Sequence, residues 1–208
     1  MLFDFDGTLA DSAPDLAAAL NRMRSARGLA PLAAARVRPF ASMGARGLLR
    51  AGFGLTPQDA DYPALRDEFL GLYEKDVCVE TRLFPQIPEL LRALEERAIA
   101  WGIVTNKARR FTERLVPLLE LKPRCAVSGD STPHLKPHPA ALLLAAEQLD
   151  LPPGDCIYVG DDLRDVQAAR AAGMRSVAVG WRYHGGAEPK SWNADVLISE
   201  PLDLLLHL

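Results

Sequence analysis

The chain has 208 residues, of which 49% are hydrophobic and 25% charged, a balance typical of a globular protein with one sizeable core or a core plus a small lobe. Lys and Arg number 24 and Asp and Glu 27, so the net charge of −3 disfavours proteins dedicated to binding nucleic acids or anionic membranes, and no uncharged apolar run reaches the roughly 20 residues that span a bilayer. Three cysteines without a CxxC pair disfavour a disulfide framework or a thiolate zinc site. They favour a location in the reducing cytoplasm.

The N-terminal residues predict a short strand followed by a loop. The sequence MLFDFDGTLAD opens with apolar residues, alternates with Asp4 and Asp6, and breaks at Gly7. The two aspartates interrupt the apolar stretch, so no signal peptide is expected. Buried strands usually have about five or six residues, so we expect either native residues before Met1 or a misassigned start site.

Residues 14–80 predict an all-helical segment. Pro14 suits the first turn of a helix, and Leu16, Leu20 and Met23 follow at helical spacing. No strand is predicted in this segment, and further helical stretches are predicted at Gly44–Gly52 and Pro63–Asp76.

From residue 81 onwards, predicted strands and helices alternate. Apolar runs predict strands at Ile99–Thr105, Cys125–Ser128, Asp155–Gly160, Arg175–Gly180 and Asp195–Ser199. Helical spacing occurs at Pro88–Arg97, Phe111–Leu119, Pro139–Leu149 and Val166–Ala172. This alternation is typical of a doubly wound α/β fold with a parallel sheet. We therefore predict a Rossmann-like core of residues 1–13 and 81–208, with an inserted all-helical cap domain of residues 14–80.

Polar side chains follow the predicted strands, at the edge where doubly wound sheets bind ligands. They are Asp4, Asp6, Thr105, Asn106, Lys107, Lys136, Asp161, Asp162 and Asp165. Several carboxylates at one site repel one another unless a cation joins them, and oxygen ligands suit Mg²⁺. The lysine and the hydroxyl and amide groups would bind a phosphate oxyanion. The combination favours phosphoryl transfer, in which a carboxylate nucleophile can form an aspartyl-phosphate.

Four motifs occur in order at the ends of these strands: Asp4-Phe-Asp6-Gly-Thr-Leu, Thr105-Asn106, Lys136-Pro137 and Gly160-Asp161-Asp162-Leu-Arg-Asp165. In this order, and over nearly the whole chain, the sequence resembles phosphatases of the haloacid dehalogenase superfamily, in particular the phosphoglycolate-phosphatase-like branch with a helical cap. The resemblance implies a Mg²⁺-dependent phosphomonoesterase that hydrolyses a small phosphate ester through an aspartyl-phosphate.

The resemblance also implies roles for individual residues. Asp4 would be the nucleophile and a metal ligand, and Asp6 the general acid and base, with its main-chain carbonyl on the metal. Asp161 would be a direct metal ligand, and Asp165 would orient a metal-bound water. The remaining motif residues would contact the phosphate: Lys136, which would also steady the nucleophile, and the pair Thr105 and Asn106.

Other polar residues have alternative interpretations. Arg46 follows a glycine at the start of a predicted cap helix and could bind a substrate carboxylate, or it could be a solvated surface arginine. Asp162 could assist the metal site, although its role is ambiguous. Lys107 is interpreted as the solvated start of a helix. Capping is favoured over chemistry for Asp11, Ser12 and Asp15.

Several stretches are similar to bacterial N-acetylmuramic acid 6-phosphate phosphatases, among them Gly44-Ala-Arg-Gly and Trp101-Gly-Ile-Val-Thr-Asn-Lys. The expected substrate is therefore a carboxylated phosphate ester, either N-acetylmuramic acid 6-phosphate or 2-phosphoglycolate. A sugar phosphomutase or a haloacid dehalogenase of the same superfamily, or a non-catalytic phosphoacceptor (receiver) module, are the alternatives. We expect a cytoplasmic monomer or homodimer with neither a nucleic acid nor a membrane as partner.

Overall fold

A parallel β-sheet forms the centre of one of the two units into which the chain divides. The computed structural model describes residues 1–181, 183 and 188–208. Within this described part, the first unit comprises residues 1–10, 83–181 and 188–208, and the second comprises residues 11–82 and 183. None of the described helices combines the length and the apolar character needed to cross a membrane.

The first unit alternates strands and helices along the chain. Its strands are β1 (Leu2–Phe3), β4 (Gly102–Val104), β5 (Ala126–Val127), β6 (Ile157–Gly160), β7 (Arg175–Val179) and β8 (Val196–Ile198). Its α-helices are α5 (Ile87–Glu96), α6 (Arg109–Leu118), α7 (Ala140–Gln148) and α8 (Leu163–Ala172). Short 3₁₀ helices cover Pro153–Asp155, Pro189–Trp192 and Pro201–His207.

The six strands lie in the order β5-β4-β1-β6-β7-β8, and each neighbouring pair is parallel. The first strand is central, because Leu2 is in register with Gly102 on one side and Tyr158 on the other. The carboxyl ends of all six strands therefore meet at one edge of the sheet. The predicted doubly wound α/β fold is confirmed.

The two side chains of strand β1 point to opposite faces of the sheet, so each face receives one apolar side chain. Leu2 packs in a buried cluster that includes side chains of α7 and α8. Phe3 points to the opposite face and meets Trp101 edge-on, with ring centroids 6.4 Å apart. Cys125 and Cys156 belong to the first cluster, in agreement with reduced, buried cysteines that serve as packing residues.

The observed strands are shorter than the predicted ones. The strand predicted at Ile99–Thr105 covers Gly102–Val104, and the strand predicted at Cys125–Ser128 covers Ala126–Val127. A second, two-stranded sheet of β2 (Ala10–Asp11) and β3 (Arg82–Leu83) was not predicted. Strands of two residues are too short to produce a recognisable alternation, and the boundary between the two units falls within both of them.

The regular structure of the second unit is helical, apart from Asp11 of β2 and Arg82 of β3 at the boundary with the first unit. It contains α1 (Ala13–Ala26), α2 (Ala34–Val37), a 3₁₀ helix (Arg38–Met43), α3 (Gly44–Phe53) and α4 (Tyr62–Lys75). Pro14 occupies the first turn of α1, as predicted, since its missing N–H group would have no helical partner there.

Asp15 does not cap α1, which corrects the sequence prediction. Its buried carboxylate instead accepts hydrogen bonds from the amides of Val79 (3.0 Å), Glu80 (2.9 Å) and Thr81 (2.9 Å). The Thr81 hydroxyl donates a further bond of 2.6 Å. This single carboxylate therefore fixes the chain after α4 against the start of α1.

Replacing Asp15 by Ala is expected to lower the free energy of unfolding by about 3 kcal/mol, because the two buried donors of Thr81 and the partly buried amides of Val79 and Glu80 lose a charged acceptor. Urea denaturation measures the change. Asp67→Ala is the matched control: this exposed aspartate of α4 should change the free energy of unfolding by less than about 0.5 kcal/mol. Equal changes for the two variants would contradict the role assigned to Asp15.

Candidate active site

The predicted nucleophile lies at the end of the central strand. Asp4 follows β1, and its amide donates a hydrogen bond to the carbonyl of Val159 on β6 (2.9 Å). Asp161 follows β6, so the two carboxylates emerge side by side from neighbouring parallel strands. Gly7 has a φ of +85°, and a Cβ at this position would lie 2.2 Å from Oδ2 of Asp161. Only glycine combines this backbone conformation with so close an approach.

Lys136 is the central cation of the site. Its side chain is 3% exposed, and Nζ lies 2.9 Å from Oδ1 of Asp4 and 2.7 Å from Oδ1 of Asp165. Burial by itself would lower the pKa of this ammonium group, but the two carboxylates outweigh it and raise the pKa. Lys136 is therefore charged, and it compensates part of the negative charge of the cluster.

Tyr158 is a site residue that the sequence analysis missed. Its buried hydroxyl accepts a hydrogen bond from Nζ of Lys136 (2.7 Å) and donates one to the carbonyl of Val104 (2.7 Å). Burial and the neighbouring carboxylates of Asp165 and Asp4 raise the pKa of the phenol well above its ordinary value, so it stays protonated. An aromatic residue within an apolar strand gave no signal beyond a core position.

The residues predicted to bind phosphate lie next to Lys136. The Thr105 hydroxyl is buried and accepts a hydrogen bond from the amide of Lys107 (3.2 Å). The side chain of Asn106 contacts the main chain of Lys136: its Nδ2 donates to the carbonyl (3.1 Å) and its Oδ1 accepts from the amide (2.8 Å). The amide group of Asn106 therefore holds the segment that carries the lysine. Binding of phosphate by Thr105 and Asn106 stays a prediction.

The acidic motif after β6 forms the N-terminus of α8. Asp162 caps the helix by accepting a bond from the amide of Arg164 (2.9 Å), and it pairs with the guanidinium group of Arg164 at 2.8 and 2.9 Å. This arrangement assigns the ambiguous Asp162 to the helix cap. Asp165 completes a capping box through the amide of Asp162 (3.0 Å) and contacts Lys136 with its other oxygen. Both of its oxygens are thus used in positioning.

Three buried carboxylates form a group that could hold a metal ion. Ligand oxygens of Asp4, Asp161 and Asp165 all lie within 4.8 Å of one another. Burial raises the pKa of Asp4 to about 6; Lys136 opposes this shift, and Asp165 and Asp6 add to it. The cluster is therefore short of positive charge, and its all-oxygen donor set suits a hard divalent cation such as Mg²⁺.

The environment of the Lys107 side chain differs from the one expected from the sequence. It precedes α6 in a loop, and its side chain is 7% exposed. Its Nζ lies 3.0 Å from each carboxylate oxygen of Asp6. The interpretation as a solvated helix start is therefore wrong.

Arg46 lies in the first turn of α3, as predicted, and is exposed. It belongs to the helical unit, whereas the carboxylates and lysines described above belong to the unit that contains the parallel sheet. Binding of a substrate carboxylate by Arg46 stays a prediction.

The chain is similar to known proteins over nearly its whole length. The family model for haloacid dehalogenase-like hydrolases matches residues 1–179. The chain belongs to the haloacid dehalogenase-like hydrolase family. A phosphoglycolate phosphatase of Xanthomonas campestris pv. campestris is 45% identical over 98% of this chain and 93% of its own length. An N-acetylmuramic acid 6-phosphate phosphatase of Pseudomonas aeruginosa is 42% identical over 99% of this chain and 92% of its own length.

Solved structures of haloacid dehalogenase-like hydrolases share the fold. The crystal structure of a predicted phosphoglycolate phosphatase from Haemophilus somnus matches 99% of this chain and 96% of its own, with a TM-score of 0.86 and 25% identity. The resemblance predicted from the four motifs is thus confirmed, and the enzyme class is that of the phosphatases in this family.

Proposed function

We propose that the protein is a Mg²⁺-dependent phosphomonoesterase that forms an aspartyl-phosphate on Asp4 and acts on a small carboxylated phosphate ester. The observation that carries the proposal is the position of Asp4 at the end of the central strand. Its carboxylate lies 2.9 Å from the buried ammonium group of Lys136 and belongs to the carboxylate group formed with Asp161 and Asp165. Such a group combines a nucleophile with binding sites for a cation and a phosphate.

In the first half of the reaction, a carboxylate oxygen of Asp4 attacks phosphorus, and the bond between phosphorus and the ester oxygen breaks. The carboxyl group of Asp6 gives its proton to the leaving alkoxide. Lys136 steadies the attacking carboxylate, and the Thr105 hydroxyl donates to a phosphate oxygen.

In the second half, the Asp6 carboxylate takes a proton from a water molecule, whose oxygen attacks phosphorus. The acyl phosphate bond breaks, which releases inorganic phosphate and restores the Asp4 carboxylate. Asp6 thereby recovers the proton that it gave to the alkoxide, so the cycle balances.

Mg²⁺ would be held by the side chains of Asp4 and Asp161 and the main-chain carbonyl of Asp6, with Asp165 in support. When bound, it supplies charge that neutralises the phosphate oxygens. Asp165 suits a supporting role because Lys136 and the amide of Asp162 already use its two oxygens.

The substrate proposed is N-acetylmuramic acid 6-phosphate or 2-phosphoglycolate. The two relatives named above carry the names of phosphatases for these compounds. Both compounds contain a carboxylate besides the phosphate, and a guanidinium group such as that of Arg46 binds a carboxylate through two parallel hydrogen bonds.

Release of inorganic phosphate from both acids and from p-nitrophenyl phosphate, in the presence of Mg²⁺, tests the proposal. We expect turnover of all three and the highest kcat/KM for one of the two acids. Conversion of a sugar phosphate into its isomer without phosphate release would indicate a phosphomutase, and a stable phosphoprotein without turnover would indicate a phosphoacceptor module.

Replacing Arg46 by Ala should lower kcat/KM for the preferred acid by about 10- to 150-fold, the scale of hydrogen bonds to a charged group. Turnover of p-nitrophenyl phosphate, which has no carboxylate, should change little. Arg46→Lys should recover part of the loss, because a point charge lacks the planar fork. Arg50→Ala is the control, since this arginine is also exposed on α3. Equal losses on all three substrates, or no loss, would refute the role of Arg46.

The cytoplasmic location, the monomeric or dimeric state and the lack of nucleic-acid or membrane partners stay predictions.

A further inference from the structure

Each of the two aspartates of the first motif contacts a different lysine. Lys136 contacts Asp4 at 2.9 Å, while Lys107 contacts Asp6 at 3.0 Å through both carboxylate oxygens. The proposed mechanism gives a task to Lys136 and none to Lys107. The second pair joins residues that are 101 positions apart in the chain.

The Lys107–Asp6 pair differs from an ordinary surface ion pair. The two side chains are 7% and 17% exposed. Exposed ion pairs contribute little, whereas a buried ammonium group requires a partner to offset its loss of hydration. Because the ammonium group contacts both oxygens, displacing the Asp6 carboxyl group from it would break two charge-assisted hydrogen bonds.

The main chain around Lys107 is fixed as well. Its amide donates to the hydroxyl of Thr105 (3.2 Å), and its carbonyl accepts from the amide of Gly129 (2.8 Å). A Cβ at Gly129 would lie 2.3 Å from the carbonyl oxygen of Asn106, so the two loops approach too closely for a larger residue. The ammonium group is thus presented to Asp6 from an anchored loop.

We propose that Lys107 is a positioning residue that holds the carboxyl group of Asp6 toward the leaving oxygen of the substrate. This inference rests on the proposed function, in which Asp6 gives its proton to the alkoxide. Misplacing a reacting group by about 1 Å can cost roughly 100-fold in rate. The effect of Lys107 should therefore depend on whether the leaving group needs a proton.

The test compares 2-phosphoglycolate, whose alkoxide must be protonated, with p-nitrophenyl phosphate, whose phenolate leaves without a proton. Lys107→Met keeps the length of the side chain and removes its charge. We expect kcat/KM to fall by about 10- to 100-fold on 2-phosphoglycolate and by less than about 3-fold on p-nitrophenyl phosphate. The ratio kcat/KM covers the steps up to departure of the leaving group, so slow hydrolysis of the phosphoenzyme does not obscure the comparison.

Lys107→Arg, which keeps the charge, should recover part of the loss. In an Asp6→Asn background, Lys107→Met should cost less than about 2-fold more on 2-phosphoglycolate, because both changes remove the same proton transfer. Lys122→Met is the matched control at an exposed lysine of the same unit, and urea denaturation of each variant monitors folding. If Lys107→Met does not fold, Lys107→Gln replaces it in the same comparison.

Equal losses on the two substrates, or losses that multiply fully in the double variant, would overturn the role of Lys107 and leave the proposed function intact. If the wild-type protein releases phosphate from none of 2-phosphoglycolate, N-acetylmuramic acid 6-phosphate and p-nitrophenyl phosphate, the proposed function itself fails.

Discussion

Asp4→Asn is expected to abolish turnover, with a loss in kcat on the order of 1,000-fold or more, because a neutral amide is a poor nucleophile toward phosphorus. The fold should persist, since the two side chains have the same shape. Steady-state phosphate release measures the loss, and mass spectrometry of the purified variant excludes deamidation back to Asp. Retention of more than a few per cent of the wild-type kcat would contradict the assignment.

Two further measurements make this test specific. Asp155→Asn is the matched control: it makes the same chemical change at an exposed aspartate that precedes β6, at the opposite end of that strand from Asp161. Its kcat should stay within about 2-fold of wild type. Rapid acid quenching of the wild-type enzyme should yield a peptide containing Asp4 that carries one phosphoryl group, and the same peptide from Asp4→Asn should carry none.

Removal of the divalent cation is expected to produce the second large effect. EDTA should lower phosphate release by more than about 100-fold and Mg²⁺ should restore it, because the carboxylate cluster contains more negative charge than Lys136 compensates. Ca²⁺ should bind but support little turnover, since its larger and looser coordination misplaces the nucleophile. Full activity of metal-free enzyme would contradict a metal-dependent reaction.

Binding of Mg²⁺ can be measured independently of activity. Isothermal titration calorimetry should detect Mg²⁺ binding to the wild-type protein and a weakening of about 10-fold or more in Asp161→Asn, which loses one charged ligand. Asp155→Asn again serves as the control and should bind as wild type does. Unchanged affinity in Asp161→Asn would remove this residue from the metal site.

The positions of Asp4, Thr105 and Asp161 relative to one another could be predicted from the sequence. Each follows an apolar run that reads as a strand of an α/β fold, and parallel strands bring their carboxyl ends to one edge of the sheet. The order of the four motifs along the chain indicates the family. Strand order, by contrast, was not predicted, because alternation of apolar residues defines a strand and not its neighbours.

The partners of individual polar side chains were decided by the tertiary structure alone. Lys107 is interpreted from the sequence as solvated, yet it contacts Asp6, and Asp15, expected to cap a helix, binds the chain at residues 79–81. The sequence also gives no indication that the side chain of Asn106 binds the main chain of Lys136. Local sequence fixes the backbone position of such residues. Their side chains reach groups that are distant in the sequence and that only the tertiary structure brings within about 3 Å. Burial requires these pairings, because an unpaired charge or amide would lose its hydration without compensation.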